Sequence, residues 1–109
     1  DAYNANPSSL EVALKNLASM QNTFFIIGDM FEMGEYAREE HQRILDLAAE
    51  LKLTGVAIGK EFSQCRTKLT CFVTAVEAKE YFLANPIENK VVLLKGSRGM
   101  KLEQLKDIL

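Results

Sequence analysis

Residues 23 to 27 read Thr-Phe-Phe-Ile-Ile, and this short run, set between two amphipathic stretches, limits the possible folds more than any other feature of the chain. A β-rich run with no polar alternation suits a strand buried on both faces. Such strands belong to parallel sheets covered by helices on either side. Upstream, Leu10, Ala13, Leu14 and Leu17 recur at helical spacing and predict a helix from about Pro7 to Met20. Its start is marked twice. Asn6 can cap with Pro7 at the first helical position, or Ser8 can cap with Glu11 closing a capping box.

The alternation continues to the end of the chain. A loop at Gly28 to Gly34 precedes a helix over about Tyr36 to Leu53, with His41, Ile44, Leu45, Ala48 and Leu51 on one side. Arg38, Glu39, Gln42, Arg43 and Asp46 are expected to face water. Short strands follow at Val56 to Ile58, Thr70 to Val73 and Val91 to Leu94. A helical turn near Glu61 to Cys65, a helix over Val76 to Leu83 and a last helix over Met100 to Leu109 separate and follow them. Strands alternating with helices predict an α/β fold: a Rossmann-like, three-layer domain with a mostly parallel sheet and helices on both faces. All 109 residues form one domain, with no internal repeat or linker. A first strand is expected just upstream of Asp1, so the chain reads as a piece cut from a larger protein.

Composition narrows the classes of function. A net charge of −2 gives no support to nucleic-acid binding. No apolar run approaches the roughly 20 residues that span a bilayer. Cys65 and Cys71 are too few for a disulfide scaffold and point to reduced thiols in the cytoplasm. With one histidine they fall short of a zinc ligand set, so no metal site is expected.

In a parallel sheet every strand-to-helix loop emerges at the same edge. That rule puts Asp1 to Asn6, Gly28 to Gly34, Gly59-Lys60, Thr74 and Lys95 to Gly99 along one rim. Lys95-Gly96-Ser97-Arg98-Gly99 offers two cations, two glycines and a helix N-terminus behind them, which suits a carboxylate or phosphate. The same residues also read as a solvated turn with a helix cap at Ser97. Asn4 and Asn6 suit a ribose, an amide or an adenine edge, and equally a turn and an N-cap. Asp1 could accept from hydroxyls. His41, on an apolar helix face near the rim, reads as a structural or orienting group rather than a catalytic one. Asp29 and Glu32 read as loop-fixing acceptors rather than an acid/base pair. The P-loop pattern Gly-x-x-x-x-Gly-Lys-Ser/Thr and the Gly-x-Gly-x-x-Gly fingerprint are both missing from the sequence.

Three motifs in order, Asp-Ala-Tyr-Asn-Ala-Asn-Pro-Ser-Ser, Gly-Asp-Met-Phe-Glu-Met-Gly with a downstream His41, and Leu-Leu-Lys-Gly-Ser-Arg-Gly, resemble the C-terminal domain of the Mur ligases over essentially the whole chain. Asn6-Pro7 and Lys-Gly-Ser-Arg are similar to the D-alanyl-D-alanine-adding member. The diamino-acid-adding sister usually shows His-x-Pro and Gly-Lys-Gly-His-Glu instead. The resemblance implies a three-domain bacterial, cytoplasmic parent of peptidoglycan synthesis. In that parent ATP phosphorylates the carboxylate of UDP-N-acetylmuramoyl-tripeptide, and the amine of D-Ala-D-Ala attacks the acyl phosphate. A central domain not in this chain would hold ATP and Mg, and the N-terminal domain the UDP-sugar peptide.

Carried over from the family, Asp1, Asn4 and Asn6 would lie nearest the nucleotide and the forming bond. Lys95, Ser97 and Arg98 would line the dipeptide pocket, and Asp29, Glu32 and His41 would shape the rim. No catalytic residue is expected within the fragment alone, which should be inactive until closure against the central domain completes the site. The competing readings are an amino-acid-adding Mur ligase domain, a stand-alone Rossmann-like nucleotide or anion module, and a non-catalytic scaffold domain.

Overall fold

A computed structural model describes residues 5–109. Four strands form its sheet: β1 (Thr23–Gly28), β2 (Gly55–Ile58), β3 (Thr70–Phe72) and β4 (Val91–Lys95). They pair in the order β3-β2-β1-β4, and every pairing is parallel. Helices α1 (Pro7–Ala18), α2 (Ala37–Glu50), α3 (Lys60–Ser63) and α4 (Ala75–Ala84) connect and cover the strands.

The unbroken apolar run acts as expected, splitting its side chains between two cores. Phe25 and Ile27 join Leu10, Leu14, Ile44, Leu45, Ala57 and Phe62 on the face covered by α1, α2 and α3. Ile26 joins Val56, Ile58, Ala78, Phe82, Leu102 and Leu105 on the other face, under α4 and the C-terminal segment. Phe24 meets Phe82 edge-on, with ring centroids 6.0 Å apart. On α2 the buried set is His41, Ile44, Leu45 and Ala48, the stripe that a 3.6-residue repeat demands.

Caps settle the helix starts. Asn6, not Ser8, caps α1: its side chain accepts from Ser9 N–H at 2.9 Å, and Ser9 Oγ accepts from Asn6 N–H in return. Thr74 and Glu77 make the same reciprocal pair at α4. Helix α2 begins at Ala37, one residue past the expected start, because a 3-10 turn at Gly34–Tyr36 precedes it.

The last segment departs from expectation. Two 3-10 stretches, Arg98–Met100 and Leu102–Ile108, replace the α-helix, joined at Lys101 with φ 56. A left-handed residue stops α-helical propagation. Leu102, Leu105 and Ile108 fall three apart, so a three-residue turn stacks all of them toward the core below α4.

Candidate functional site

From β1 the chain steps outward to β2 and β3, then crosses back to lay β4 on the other side of β1. Strand order therefore reverses between β1 and β4. In open α/β sheets the crevice beyond the carboxyl ends of such a pair is where ligands bind. Two glycines let the loops leaving these strands meet. A Cβ on Gly96 would stand 2.6 Å from Leu102 Cδ1, closer than real Cβ atoms come, and a tight 3.1 Å from the Gly28 Cα.

Beyond that contact, Ser97 is buried and its Oγ accepts a hydrogen bond from the Phe31 backbone N–H at 3.2 Å. The second and third sequence motifs are thus physically joined. Ser97 makes no side-chain cap to the turn after it, so the cap reading is overturned. A helix N-terminus behind the basic turn is also absent: Arg98–Met100 is a single 3-10 turn, too short to add a helix dipole. Any anion attraction here comes from Lys95 and Arg98 themselves. Arg98 is exposed, and Lys95 is half-buried at the end of β4.

Asp29 lies buried under the same loop, 3% exposed. Its two carboxylate oxygens accept from Glu61 N–H at 2.9 Å and Phe62 N–H at 3.0 Å, satisfying the orphan amides of α3. Burial pushes its carboxyl up from the ordinary range, and those two amide bonds pull it back. Gly59 makes this possible. It sits at φ 131, and a Cβ there would lie 2.1 Å from the Asp29 Cγ.

His41 is fully buried beside Asp29, its Nε2 3.7 Å from Oδ1. The Met30 backbone N–H donates to that Nε2 at 2.9 Å, and the Ala37 carbonyl oxygen lies 2.6 Å from Nδ1. An amide can only donate and a carbonyl can only accept. The ring is therefore neutral, with its proton on Nδ1, and it makes no salt bridge with Asp29. The bond from Met30 N–H fastens the loop after β1 to α2. Glu32 is exposed with φ 60, whereas Asp29 is buried with both oxygens engaged.

Asn6 and Lys95 come together as two walls of one groove of about 610 Å³, completed by Ser8, Ser9, Val12, Ala13 and Asn16 of α1. Asn6 spends its side-chain oxygen on its helix cap. Asp1 and Asn4 lie outside the described residues. Cys65 and Cys71 are unpaired thiols, both pushed up in pKa chiefly by burial. Among the described residues no group of three or more His, Cys, Asp or Glu could hold a metal ion. No helix among them is long and apolar enough to cross a membrane.

Sequence reasoning missed Phe31 and read Gly99 only as one of the two glycines of the basic turn. The Phe31 ring packs on the basic turn where a Gly99 Cβ would lie 2.4 Å from its Cε2. The available signal was an aromatic residue inside a polar, glycine-bounded loop.

Comparison with known proteins agrees with this geometry. Residues 1–98 match the Mur ligase, glutamate ligase domain family. The UDP-N-acetylmuramoyl-tripeptide–D-alanyl-D-alanine ligase of Treponema pallidum is 35% identical over 100% of this chain and 26% of its own length. The ligase of the same name from Bacillus subtilis is 27% identical over 100% of this chain and 27% of its own. The chain thus spans about a quarter of the length of the relatives it matches. A crystal structure of MurF from Acinetobacter baumannii superimposes with a TM-score of 0.75 at 29% identity, covering 98% of this chain and 26% of that one. MurF from Thermotoga maritima, solved in complex with ADP, gives 0.80 at 21% identity over 99% and 26%, a likeness of fold. The parallel sheet, the rim built by its second and third motifs and the match over residues 1–98 agree: the chain belongs to the Mur ligase family, as its glutamate ligase domain.

Proposed function

We propose that this chain is the C-terminal, substrate-closing domain of an ATP-dependent ligase of the MurF type. Such an enzyme joins D-alanyl-D-alanine to UDP-N-acetylmuramoyl-tripeptide through an acyl phosphate in bacterial peptidoglycan synthesis. The observation that carries the reading is the bond from Phe31 N–H to Ser97 Oγ, which fastens the basic turn to the β1 loop at the strand-order reversal. Whole-chain similarity to ligases of that name supports the same reaction.

Arg98 grips the dipeptide carboxylate, since a guanidinium can offer two parallel N–H donors to it. Lys95 adds positive charge at the mouth of the Asn6 groove. Ser97 fixes the turn, while His41 and Asp29 hold the facing loop, so the cations stay placed as the dipeptide arrives. The family resemblance assigns Asp1, Asn4 and Asn6 to the nucleotide. Asn6 would meet it through its amide nitrogen, its oxygen being held by the cap.

In this reading Mg is a requirement of the parent ligase. It falls with ATP to a central P-loop domain, and the UDP-sugar peptide falls to an N-terminal one. A nucleotide requirement fits the ADP found in the Thermotoga maritima protein. The isolated domain, residues 1–109, should show no turnover.

Arg98→Lys in the full-length ligase tests the assignment. It should raise the dipeptide KM far more than the ATP KM, and equal effects would remove Arg98 from the carboxylate. Titration of the isolated domain with ATP and phosphate should show weak binding at most. Tight binding without partner domains would favour a stand-alone module.

A further inference from the structure

Phe31 is 47% exposed at the rim, an unusual place for a large apolar ring in a loop otherwise bounded by Asp29 and Glu32. Two contacts set Phe31 against the basic turn. Its backbone N–H is bonded to the buried Ser97 hydroxyl, and its edge lies over Gly99, where any side chain would displace it. Gly99 has no left-handed φ, so a side chain there would meet the ring rather than a backbone restriction. Arg98 is the residue between Ser97 and Gly99, the two that meet Phe31. The result is an exposed apolar ring set against a turn that carries a cation, a combination suited to a carboxylate with a small apolar group on its α-carbon.

We propose that Phe31 is a specificity-determining residue of this ligase: its ring is the wall against which the methyl group of the dipeptide's carboxyl-terminal residue rests while Arg98 holds the carboxylate. The inference rests on the functional reading above and extends it from charge to side-chain selection. Exposed aromatic surface could instead serve domain closure, and the two roles separate cleanly. A closure contact is felt by every substrate, whereas a side-chain wall is felt only by a dipeptide that has the methyl group.

The experiment uses the full-length ligase with D-Ala-D-Ala and with D-Ala-Gly, which lacks the methyl group. Phe31→Ala should raise the D-Ala-D-Ala KM about tenfold, the size expected for one lost methyl contact, and leave the D-Ala-Gly and ATP values nearly unchanged. Phe31→Leu should keep most of the preference and controls for folding. Gly99→Ala, which displaces the ring without removing it, should reproduce the loss. Equal changes for both dipeptides, or a parallel rise in the ATP KM, would overturn the wall. If Arg98→Lys shifts the dipeptide KM and Phe31→Ala does not, this inference alone fails. If Arg98→Lys is also silent, the underlying reading fails with it.

Discussion

The Phe31 backbone N–H donates to Ser97 Oγ at 3.2 Å across 66 positions of chain, tying the loop after β1 to the loop after β4. Ser97→Ala removes the acceptor and leaves a part-buried amide unsatisfied. We expect a loss of about 1–2 kcal/mol in chemical denaturation. Hydrogen exchange at the Phe31 amide should quicken by more than the global loss explains. Unchanged protection there would mean the two loops are joined by packing alone.

His41→Phe keeps the volume and the apolar contacts but offers no acceptor to Met30 N–H. The ring already meets Phe62 edge-on with centroids 4.6 Å apart, so a phenyl group can occupy the place. Destabilisation should be about 1–3 kcal/mol and centred on the β1 loop, read as faster exchange at the Met30 amide. His41→Gln, with an acceptor of shorter reach, should recover part of that protection.

Gly59→Ala should be among the most damaging small substitutions in the domain. It combines a φ of 131 with a Cβ 2.1 Å from the Asp29 Cγ, and the displaced carboxylate would abandon the amides of Glu61 and Phe62. A cost of at least about 2 kcal/mol is expected from equilibrium unfolding. Asp29→Ala combined with Gly59→Ala should cost less than the sum of the single changes, because the clash disappears with the carboxylate.

Glu11 joins α1 to α2, with Lys15 Nζ 2.9 Å from one oxygen and Arg43 Nη1 2.8 Å from the other. Hydrogen bonds from Lys15 first, then Arg43, hold its carboxyl below the ordinary 4.5. A depressed folded value stabilises above the unfolded one and is lost as the pH falls through the folded one. The stability advantage of the natural protein over Glu11→Gln should therefore be full at neutral pH and shrink steadily below 4.5. Because the group is exposed, added salt should shrink it as well. An advantage that grows on acidification would contradict the linkage.

Thr23 to Ile27 announced the sheet because burial on both faces leaves no polar alternation, and the helix stripes followed from the same logic. His41 was legible as a buried histidine on an apolar stripe. Its acceptor role was not, since that depends on where the loop brings the Met30 amide. Ser97 resembled a helix cap because serine often starts helices, but its hydroxyl is used across the fold instead. Leu102, Leu105 and Ile108 fit α and 3-10 spacing alike over so short a span. The left-handed residue at Lys101 that breaks the expected Met100–Leu109 helix leaves no mark in the residue types. Phe31 stayed hidden because a loop phenylalanine reads as packing until its neighbour across the rim is known.

Strand β4 pairs with β1 along Thr23 to Ile27, although synthesis reaches it only after β2 and β3 have been made. A nascent chain on the ribosome can thus build the first three strands while one side of β1 stays open, with its backbone amides and carbonyls unpaired. Closing that late, long-range seam is slow relative to the neighbouring pairings. It also creates the Phe31–Ser97 junction, so a chain that ends before residue 91 lacks both the fourth strand and the tie between the two loops.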